Sequence, residues 1–220
     1  MTGKIVPGGR AVPRGRMDKR HAILRAAFTA FARDGYAQTS VDVIAAEAEV
    51  AKHTVYNHFG DKQSLLRETI AAEAERVLRK NLDAIDLLRA DTGELRERLE
   101  EAGLRLLRCY TDARATAMRR LVYAEMSRDA HLLDIVQERA AKPAVEALAD
   151  RLARLALAGR LSLSRPDEAA EQLRSLLVGP METRSAMGSR EVPEEELREV
   201  ARAAVRVFLR VYGPEAAPTP

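Results

Sequence analysis

The chain has 220 residues, of which 46% are hydrophobic and 31% charged, and its formal net charge is +3. Its single cysteine, Cys109, excludes an internal disulfide and a cysteine-based zinc site, and we expect a buried, unreactive thiol. No apolar run is long enough to span a membrane and the N-terminus has no hydrophobic region, so we expect a cytoplasmic protein without a secretory signal.

The positive charge is concentrated near the N-terminus. Residues 1–60 carry nine Lys and Arg against five Asp and Glu, whereas residues 61–220 carry 27 against 28. Residues 1–16 are rich in Gly and Pro, which predicts a disordered basic arm. A basic arm before a nearly neutral body is typical of an N-terminal DNA-binding domain. The alternative is a solvated tail that makes no DNA contact.

The composition predicts an all-α fold, because Ala, Leu, Arg and Glu are abundant and runs of β-branched residues are missing. The first helix is predicted from Met17 to Asp34, with its apolar residues on one face. Gly35 follows at the position of a left-handed C-terminal cap.

Two short helical patterns follow between Thr39 and Lys62. Thr39 and Asp42 have the form of a capping box, which predicts that a helix begins there. Apolar residues then recur at i, i+3, i+4 and i+7 and form one buried stripe: Val41, Ile44, Ala45 and Ala48. A tight turn at residues 48–50 precedes a second helix over about residues 51–58. We predict a small core shared by the three helices, made of Phe28, Phe31, Ile44, Val55 and Phe59.

The second short helix has a polar face suited to DNA. Its outward residues can bond phosphate oxygens and base edges, and few acids accompany them: Lys52, His53, Thr54, Tyr56, Asn57 and His58. Two short helices joined by a tight turn, the second with such a face, indicate a helix-turn-helix. The alternative is an ordinary amphipathic helix pair with a solvated outer face.

The rest of the chain is predicted to be a larger helical body, which brings the total to about nine helices. Helical periodicity places its helices over about residues 61–88, 94–110, 115–127, 131–157, 166–187 and 194–212. Pro143 lies inside the fourth of these and should kink or divide it. The predicted domains are an arm at 1–16, a DNA-binding domain at 17–62, the helical body at 63–212 and a disordered tail at 213–220.

The N-terminal region resembles the DNA-binding domain of TetR-type transcriptional regulators. The matching residues are Ile23-Leu24, Ala26-Ala27, Phe31, Gly35-Tyr36, Thr39-Ser40-Val41, Ile44-Ala45, Thr54-Val55-Tyr56, His58-Phe59, Gly60-Asp61-Lys62 and Leu65-Leu66. The body at 63–212 is similar to the family's helical ligand-binding and dimerisation domain in the number and length of its helices.

The resemblance implies specific contacts to DNA. Phosphate contacts are implied for Thr39 or Ser40, Tyr56, His58 and Lys62. The positions at which the family reads bases are occupied by Lys52, His53, Thr54 and Asn57. Two residues depart from the family's pattern, because Glu49 stands in the turn where Gly is usual and Ala51 replaces the Ser or Thr that caps the second helix. Each departure is expected to cost roughly 1 kcal/mol.

The function implied by the resemblance is that of a homodimeric repressor that binds a palindromic operator and is released by a small, apolar ligand. The helices at about 166–187 and 194–212 would form the dimer interface. Candidates for the ligand pocket are adaptable or amphipathic residues of the body, each of which could instead be plain core: Tyr110, Met118, Tyr123 and Met126.

Two other classes of function stay open. One is an architectural DNA-binding protein without a ligand, although a body of about 150 residues is large for dimerisation alone. The other is a helical enzyme, but we find no catalytic residues, no glycine-rich phosphate loop and no cofactor motif. The histidines show no metal-ligand spacing on a helix facing the body, so no metal site is predicted: His21, His53, His58 and His131.

Overall fold

The computed structural model of the protein describes residues 14–89 and 93–214. Within these ranges there are ten α-helices and no β-strand, which confirms the all-α prediction. The helices are α1 (Arg14–Asp34), α2 (Val41–Glu47), α3 (Lys52–Phe59), α4 (Lys62–Ile85), α5 (Leu95–Thr111), α6 (Ala113–Glu125), α7 (His131–Val136), α8 (Lys142–Leu157), α9 (Pro166–Arg184) and α10 (Glu194–Tyr212). A 3₁₀ turn, Asp86–Arg89, follows α4. None of these helices is long and apolar enough to cross a bilayer.

The two predicted terminal segments lie almost entirely outside the described residues. Of the arm predicted at 1–16, only residues 14–16 are described, and they form the first turn of α1. Of the tail predicted at 213–220, only Gly213 and Pro214 are described. Helix α1 therefore begins three residues before the predicted Met17.

The chain divides into two compact units, residues 1–69 and 70–220. The division falls inside α4, whereas the predicted boundary at 62–63 coincides with the start of that helix. The first two turns of α4 belong to the first unit, since Leu65 and Leu66 are fully buried there.

The first unit is a small helical core built on α1. The five residues predicted to share this core are all buried, with exposed fractions between 0% and 7%: Phe28, Phe31, Ile44, Val55 and Phe59. Gly35 ends α1 with φ +81° and donates its N–H to the Phe31 carbonyl at 3.0 Å. This is the left-handed cap expected there, because glycine adopts positive φ without steric cost.

The second unit is centred on the pairing of α5 with α10, α8 with α9, and α9 with α10. Its core is mostly leucine, alanine and valine, with Phe208 as its one buried aromatic residue among those described. Gly103 on α5 allows the close approach of α9, because a Cβ there would lie 3.0 Å from Leu177 Cδ2.

Pro143 divides the predicted helix at 131–157 as expected. Helix α7 passes into one π-helical turn, Gln137–Ala141, and α8 begins at Lys142 with Pro143 in its first turn. The missing N–H of proline is harmless at a helix start but disrupts a helix interior. If α7 and α8 are counted as one interrupted helix, the described chain has the nine helices predicted.

Candidate functional site

The start of α2 differs from the prediction. Ser40, and not Thr39, is the N-cap, and its hydroxyl accepts the N–H of Val43 at 3.2 Å. Thr39 is only 2% exposed, and its hydroxyl donates to the Gly35 carbonyl at 2.7 Å, with the Ala30 carbonyl at 3.2 Å. The capping box was therefore wrong by one residue. Thr39 is also withdrawn as a phosphate contact, because its hydroxyl is bonded inside the protein.

Helix α3 separates a buried side from an exposed polar side. Val55 and Phe59 are 2% and 7% exposed and hold the helix against the core. The polar residues of α3 predicted to face DNA are exposed or half-buried: Lys52, His53, Thr54, Tyr56, Asn57 and His58. The Tyr56 side chain is 43% exposed. A helix anchored on one side and polar on the other can present hydrogen-bonding groups to a groove.

An acidic residue that the sequence analysis did not assign to this surface lies beside α3. The Nζ of Lys52 donates to Asp42 Oδ2 at 2.8 Å, and both side chains are exposed. This hydrogen bond raises the pKa of Lys52 above its ordinary value. Lys52 is thus positively charged at neutral pH, but one carboxylate already partly neutralises it.

The junction between α3 and α4 fixes Lys62. Its Nζ lies 4.4 Å from the centre of the Tyr36 ring and donates to the Ala37 carbonyl at 3.4 Å. Asp61 caps α4, since its Oδ1 accepts the N–H of Ser64 at 2.6 Å, and this bond lowers the pKa of the Asp61 carboxyl. The ammonium group of Lys62 is consequently held against the segment between α1 and α2.

Both departures from the family's pattern have the expected local consequences. Glu49 adopts φ +55°, the left-handed conformation for which Gly is usual. Ala51 has the extended backbone of an N-cap but provides no side-chain bond to the first N–H groups of α3. The turn between α2 and α3 therefore forms with Glu49 and Ala51 in place of the Gly and the Ser or Thr that are usual at these positions.

A cavity of about 160 Å³ lies inside the second unit, among residues of helices α4 to α9 and the π-helical turn. Two of the predicted pocket residues, Tyr110 and Met118, line it. Tyr123 and Met126 do not line this cavity and are 47% and 43% exposed, although Tyr123 lines a neighbouring cleft. Tyr123 lies on the outer side of α6, and Met126 follows the last residue of that helix.

Four polar side chains of the cavity were not identified from the sequence as lining residues. They are Asn81, Cys109, Arg119 and Arg174. Cys109 is half-buried where a buried thiol was expected, and burial raises its pKa, so little reactive thiolate is present at neutral pH. No sequence signal distinguishes the two arginines from the chain's many others.

Arg119 is fixed by three contacts. Its Nη1 donates to the Tyr110 carbonyl at 2.8 Å, and its Nη2 donates to Thr116 Oγ1 at 3.1 Å. The guanidinium carbon lies 3.8 Å from the centre of the Tyr110 ring, in cation–π contact. Burial lowers the pKa of Arg119, although arginine stays protonated in proteins.

An ionic network lies beside the cavity. Asp112 caps α6 by accepting the N–H groups of Arg114 and Ala115, each at 3.1 Å. Its carboxylate also accepts hydrogen bonds from Arg76 at 3.1 Å and Lys80 at 2.8 Å, which bind α4 to the start of α6. Burial opposes ionisation of Asp112, but these bonds outweigh it and hold its pKa at about 2.

Glu73 of α4 extends this network. It is 6% exposed and accepts hydrogen bonds from the side chains of Arg76 and Arg114. In the part of the chain that the structure covers, no group of three His, Cys, Asp or Glu residues is arranged to hold a metal ion.

Both halves of the chain match family descriptions. Residues 23–69 match "Bacterial regulatory proteins, tetR family", and residues 97–214 match "AefR-like transcriptional repressor, C-terminal domain". The first match contains α2, α3 and the start of α4, and the second contains most of the second unit.

Whole-chain relatives agree with these matches. The HTH-type transcriptional repressor Rv3405c of Mycobacterium tuberculosis is 31% identical over 215 residues, which cover 96% of this chain and all of the relative. A TetR-family regulator from Mesorhizobium loti superposes with a TM-score of 0.84 at 31% identity, covering 92% of this chain and all of that one. The flavonoid-responsive regulator FrrA superposes with a TM-score of 0.70 at 27% identity, covering 90% and 98% of the two chains.

The family consists of DNA-binding regulators and not of enzymes, so the enzyme alternative is set aside. The polar face of α3, the helical body that follows it in the sequence and these similarities agree, and the chain belongs to the TetR family of helix-turn-helix transcriptional regulators.

Proposed function

We propose that the protein is a homodimeric repressor that binds a palindromic operator through α3 and is released from it by a small ligand held in the cavity. The observation that carries the proposal is the division of α3 into a buried anchor, Val55 and Phe59, and an exposed polar side. Such a helix can enter the major groove without disturbing its own core.

The DNA contacts fall into two groups. Ser40, Tyr56, His58 and Lys62 contact phosphates and fix the orientation of α3. The base-reading residues are Lys52, His53, Thr54 and Asn57, whose amine, imidazole, hydroxyl and amide groups can bond base edges. Because DNA is the target, the proposal places the protein in the cytoplasm.

A second copy of the chain covers the outer side of α9 and α10. Val207 and Val211 lie one turn apart on α10 and are 44% and 62% exposed, although the opposite side of that helix is buried. Leu176 of α9 lies beside them, half-buried, in clefts lined by both helices. Helix α10 thus has apolar residues both on the side that packs inside its own unit and on the side that faces outward. This supports an interface of four helices, α9 and α10 from each chain, around a two-fold axis.

The cavity supports a ligand-responsive repressor over an architectural DNA-binding protein, which needs no internal space. Its volume of about 160 Å³ compares with the roughly 150 Å³ of an engineered apolar cavity that holds benzene. The similar regulator FrrA responds to flavonoids, which supports an aromatic effector. Binding would favour an arrangement of the dimer in which the two α3 helices no longer match successive major grooves.

A titration of DNA by fluorescence anisotropy tests the proposal. The duplex is the palindrome upstream of the protein's own gene, with a random duplex of equal length as competitor. We expect two chains per palindrome and an affinity at least a thousandfold above that for random DNA. Equal affinity for the two duplexes would favour the architectural alternative and overturn the repressor.

A further inference from the structure

The charges that line the cavity are all of one sign. Arg119 and Arg174 contribute guanidinium groups, and no Asp or Glu lines the cavity. The remaining polar lining comes from Asn81, Cys109 and Tyr110, and the rest is aliphatic. A neutral apolar ligand would need neither of the two cations.

Neither of these arginines has an acidic partner. No carboxylate oxygen of the described residues lies within 4.0 Å of a guanidinium nitrogen of Arg119 or Arg174. The protein pairs many other arginines, including the two that belong to the ionic network beside the cavity, Arg76 and Arg114. Arg119 and Arg174 thus stay without a carboxylate partner in a protein that pairs many of its other arginines.

Arg119 is the more informative of the two, since it is half-buried whereas Arg174 is exposed. A cation removed from water is unfavourable unless an anion compensates it. Its two hydrogen bonds, to the Tyr110 carbonyl and Thr116 Oγ1, occupy two of the five N–H groups of a guanidinium. The remaining donors can bond a carboxylate, which guanidinium groups recognise with particular geometric fit.

One acid interacts with Arg119 from outside the cavity. Glu182 of α9 shares a separate cleft with Arg119 and Tyr123, and the Tyr123 hydroxyl donates to Glu182 Oε1 at 3.5 Å. Glu182 favours the charged form of Arg119 from a distance but does not line the cavity. It helps to keep the cation charged and leaves the cavity side of the guanidinium for a ligand.

The apolar lining sets the size and nature of the rest of the ligand. Met118, Val145, Leu148 and Leu177 surround the space with aliphatic and thioether groups. A space close to that occupied by benzene suits one aromatic ring with a short side chain. The Tyr110 ring, already stacked on Arg119, lies where the apolar and cationic parts of the cavity meet.

We propose that the cavity binds a small aromatic monocarboxylate, with its carboxylate on Arg119 and its ring between Met118, Leu148 and Leu177. The inference deepens the proposed function, because it rests on the cavity being the effector site and specifies the chemical class of the effector. Arg174 adds a second, solvated positive charge that attracts the anion to the cavity.

Calorimetry with matched pairs of compounds tests this directly on the full-length protein. The probes are benzoate, phenylacetate and 3-phenylpropionate, each compared with its neutral amide. We expect at least one carboxylate to bind at least tenfold more tightly than its amide at pH 7. Amides that bind as tightly as the acids, or a series in which no carboxylate binds at 10 mM, would overturn the inference.

The cavity contains the only cysteine of the chain, which gives an independent measure of occupancy. The rate at which Cys109 reacts with a small disulfide reagent at pH 8.5 should fall at least fivefold with the bound carboxylate. An unchanged rate in the presence of a saturating carboxylate would place the ligand elsewhere and contradict the proposal.

Variants of Arg119 test whether its guanidinium group causes the preference for the carboxylate over the amide. Arg119→Gln should abolish the tenfold preference for the carboxylate while leaving binding of the amide within about twofold, whereas Arg119→Lys should keep part of the preference. Arg120→Gln removes the neighbouring charge, which is exposed and does not line the cavity, and should change nothing. Retention of the full preference in Arg119→Gln contradicts the assignment. Circular dichroism and the melting temperature check that each variant is folded.

The two proposals fail in different ways. If the protein binds its palindrome tightly and every carboxylate is inert, the repressor stands and the ligand class is wrong. If a carboxylate binds with the expected preference but no DNA is preferred, the cavity assignment stands and the repressor is wrong.

Discussion

Lys52 at the start of α3 and Asp42 in the first turn of α2 are joined by a 2.8 Å contact between Nζ and Oδ2. The carboxylate therefore lies on the surface that the proposal places against DNA, where it repels phosphates and competes for the ammonium group. We expect Asp42→Asn to strengthen operator binding by roughly three- to tenfold at low salt and to steepen its salt dependence. Anisotropy titrations across a salt series measure both effects.

The same titrations on Lys52→Ala, alone and combined with Asp42→Asn, provide the control. Without Lys52 the effect of Asp42→Asn should shrink, because part of it acts through the freed ammonium group. Weaker binding by Asp42→Asn would show that the carboxylate instead orders Lys52 for its contact, and the account of this pair would be wrong.

The left-handed backbone conformation of Glu49 lowers the stability of the protein, and a single substitution should restore it. Glu49→Gly should stabilise the protein by about 1 kcal/mol, since glycine tolerates φ +55° and Glu does not. Glu47→Gly, two residues earlier at the last residue of α2, should instead be destabilising, because it removes the ion pair with Arg33 and because glycine is a poor helix former. Urea denaturation of the two variants measures the difference, and the same sign for both would rule out strain at residue 49.

The proposed dimer interface predicts that a charge on α10 separates the two chains. Val207→Glu combined with Val211→Glu places two carboxylates where a second copy would pack, and burying unpaired charges is strongly unfavourable. We expect sedimentation velocity to show a monomer at micromolar concentration. Leu157→Glu, which changes a side chain that is 89% exposed at the end of α8, should leave the dimer intact. A double variant that still sediments as a dimer places the interface elsewhere.

The network at the start of α6 predicts a defined loss of stability in acid. Asp112 has a pKa of about 2, and although burial raises the pKa of Glu73, hydrogen bonds from Arg114 and Arg76 lower it below its ordinary value. Both carboxyls therefore have lower pKa values in the folded than in the unfolded chain, where they lie near 4. Their contribution to stability is present above about pH 4 and is lost as the pH falls towards 2.

Asp112→Asn tests this contribution. The variant should lose about 1 kcal/mol at pH 7, allowing for partial screening by solvent, and its stability should depend less steeply on pH between 4 and 2. Asp134→Asn, an exposed carboxylate on α7, is the control and should keep the wild-type slope. Parallel pH profiles for wild type and Asp112→Asn would show that the network contributes nothing.

Structural features that depend on local sequence patterns could be predicted from the sequence, whereas features that depend on long-range packing could not. The core of the first unit followed from periodicity, because Ile44 and Phe59 can be buried only on the side of their helices that faces α1. Pro143 marked the interruption of its helix through its missing N–H. The N-cap was misplaced because Thr39 and Ser40 are both good caps, and helix ends are uncertain by one residue.

The cavity could not be predicted in the same way. Its lining comes from six α-helices and the π-helical turn, and Asn81 and Arg174 lie 93 residues apart in the sequence. The residues next to Arg119 in the sequence do not reveal that it lacks an acidic partner. Whether it has one depends on the positions of Glu182 and of the ionic network in the folded protein. Tyr123 and Met126 were attractive by residue type, but their orientation and position in the fold expose them.

The most direct test of the central claim, that the outer side of α3 binds the operator, compares two tyrosines of similar exposure. Tyr56 on α3 is 43% exposed and Tyr123 on α6 is 47% exposed. Operator binding is measured by anisotropy for Tyr56→Ala and Tyr123→Ala, with helicity checked by circular dichroism. We predict that Tyr56→Ala weakens binding at least tenfold without loss of helicity, and that Tyr123→Ala leaves it unchanged. Equal affinity of Tyr56→Ala and the wild type would contradict the account.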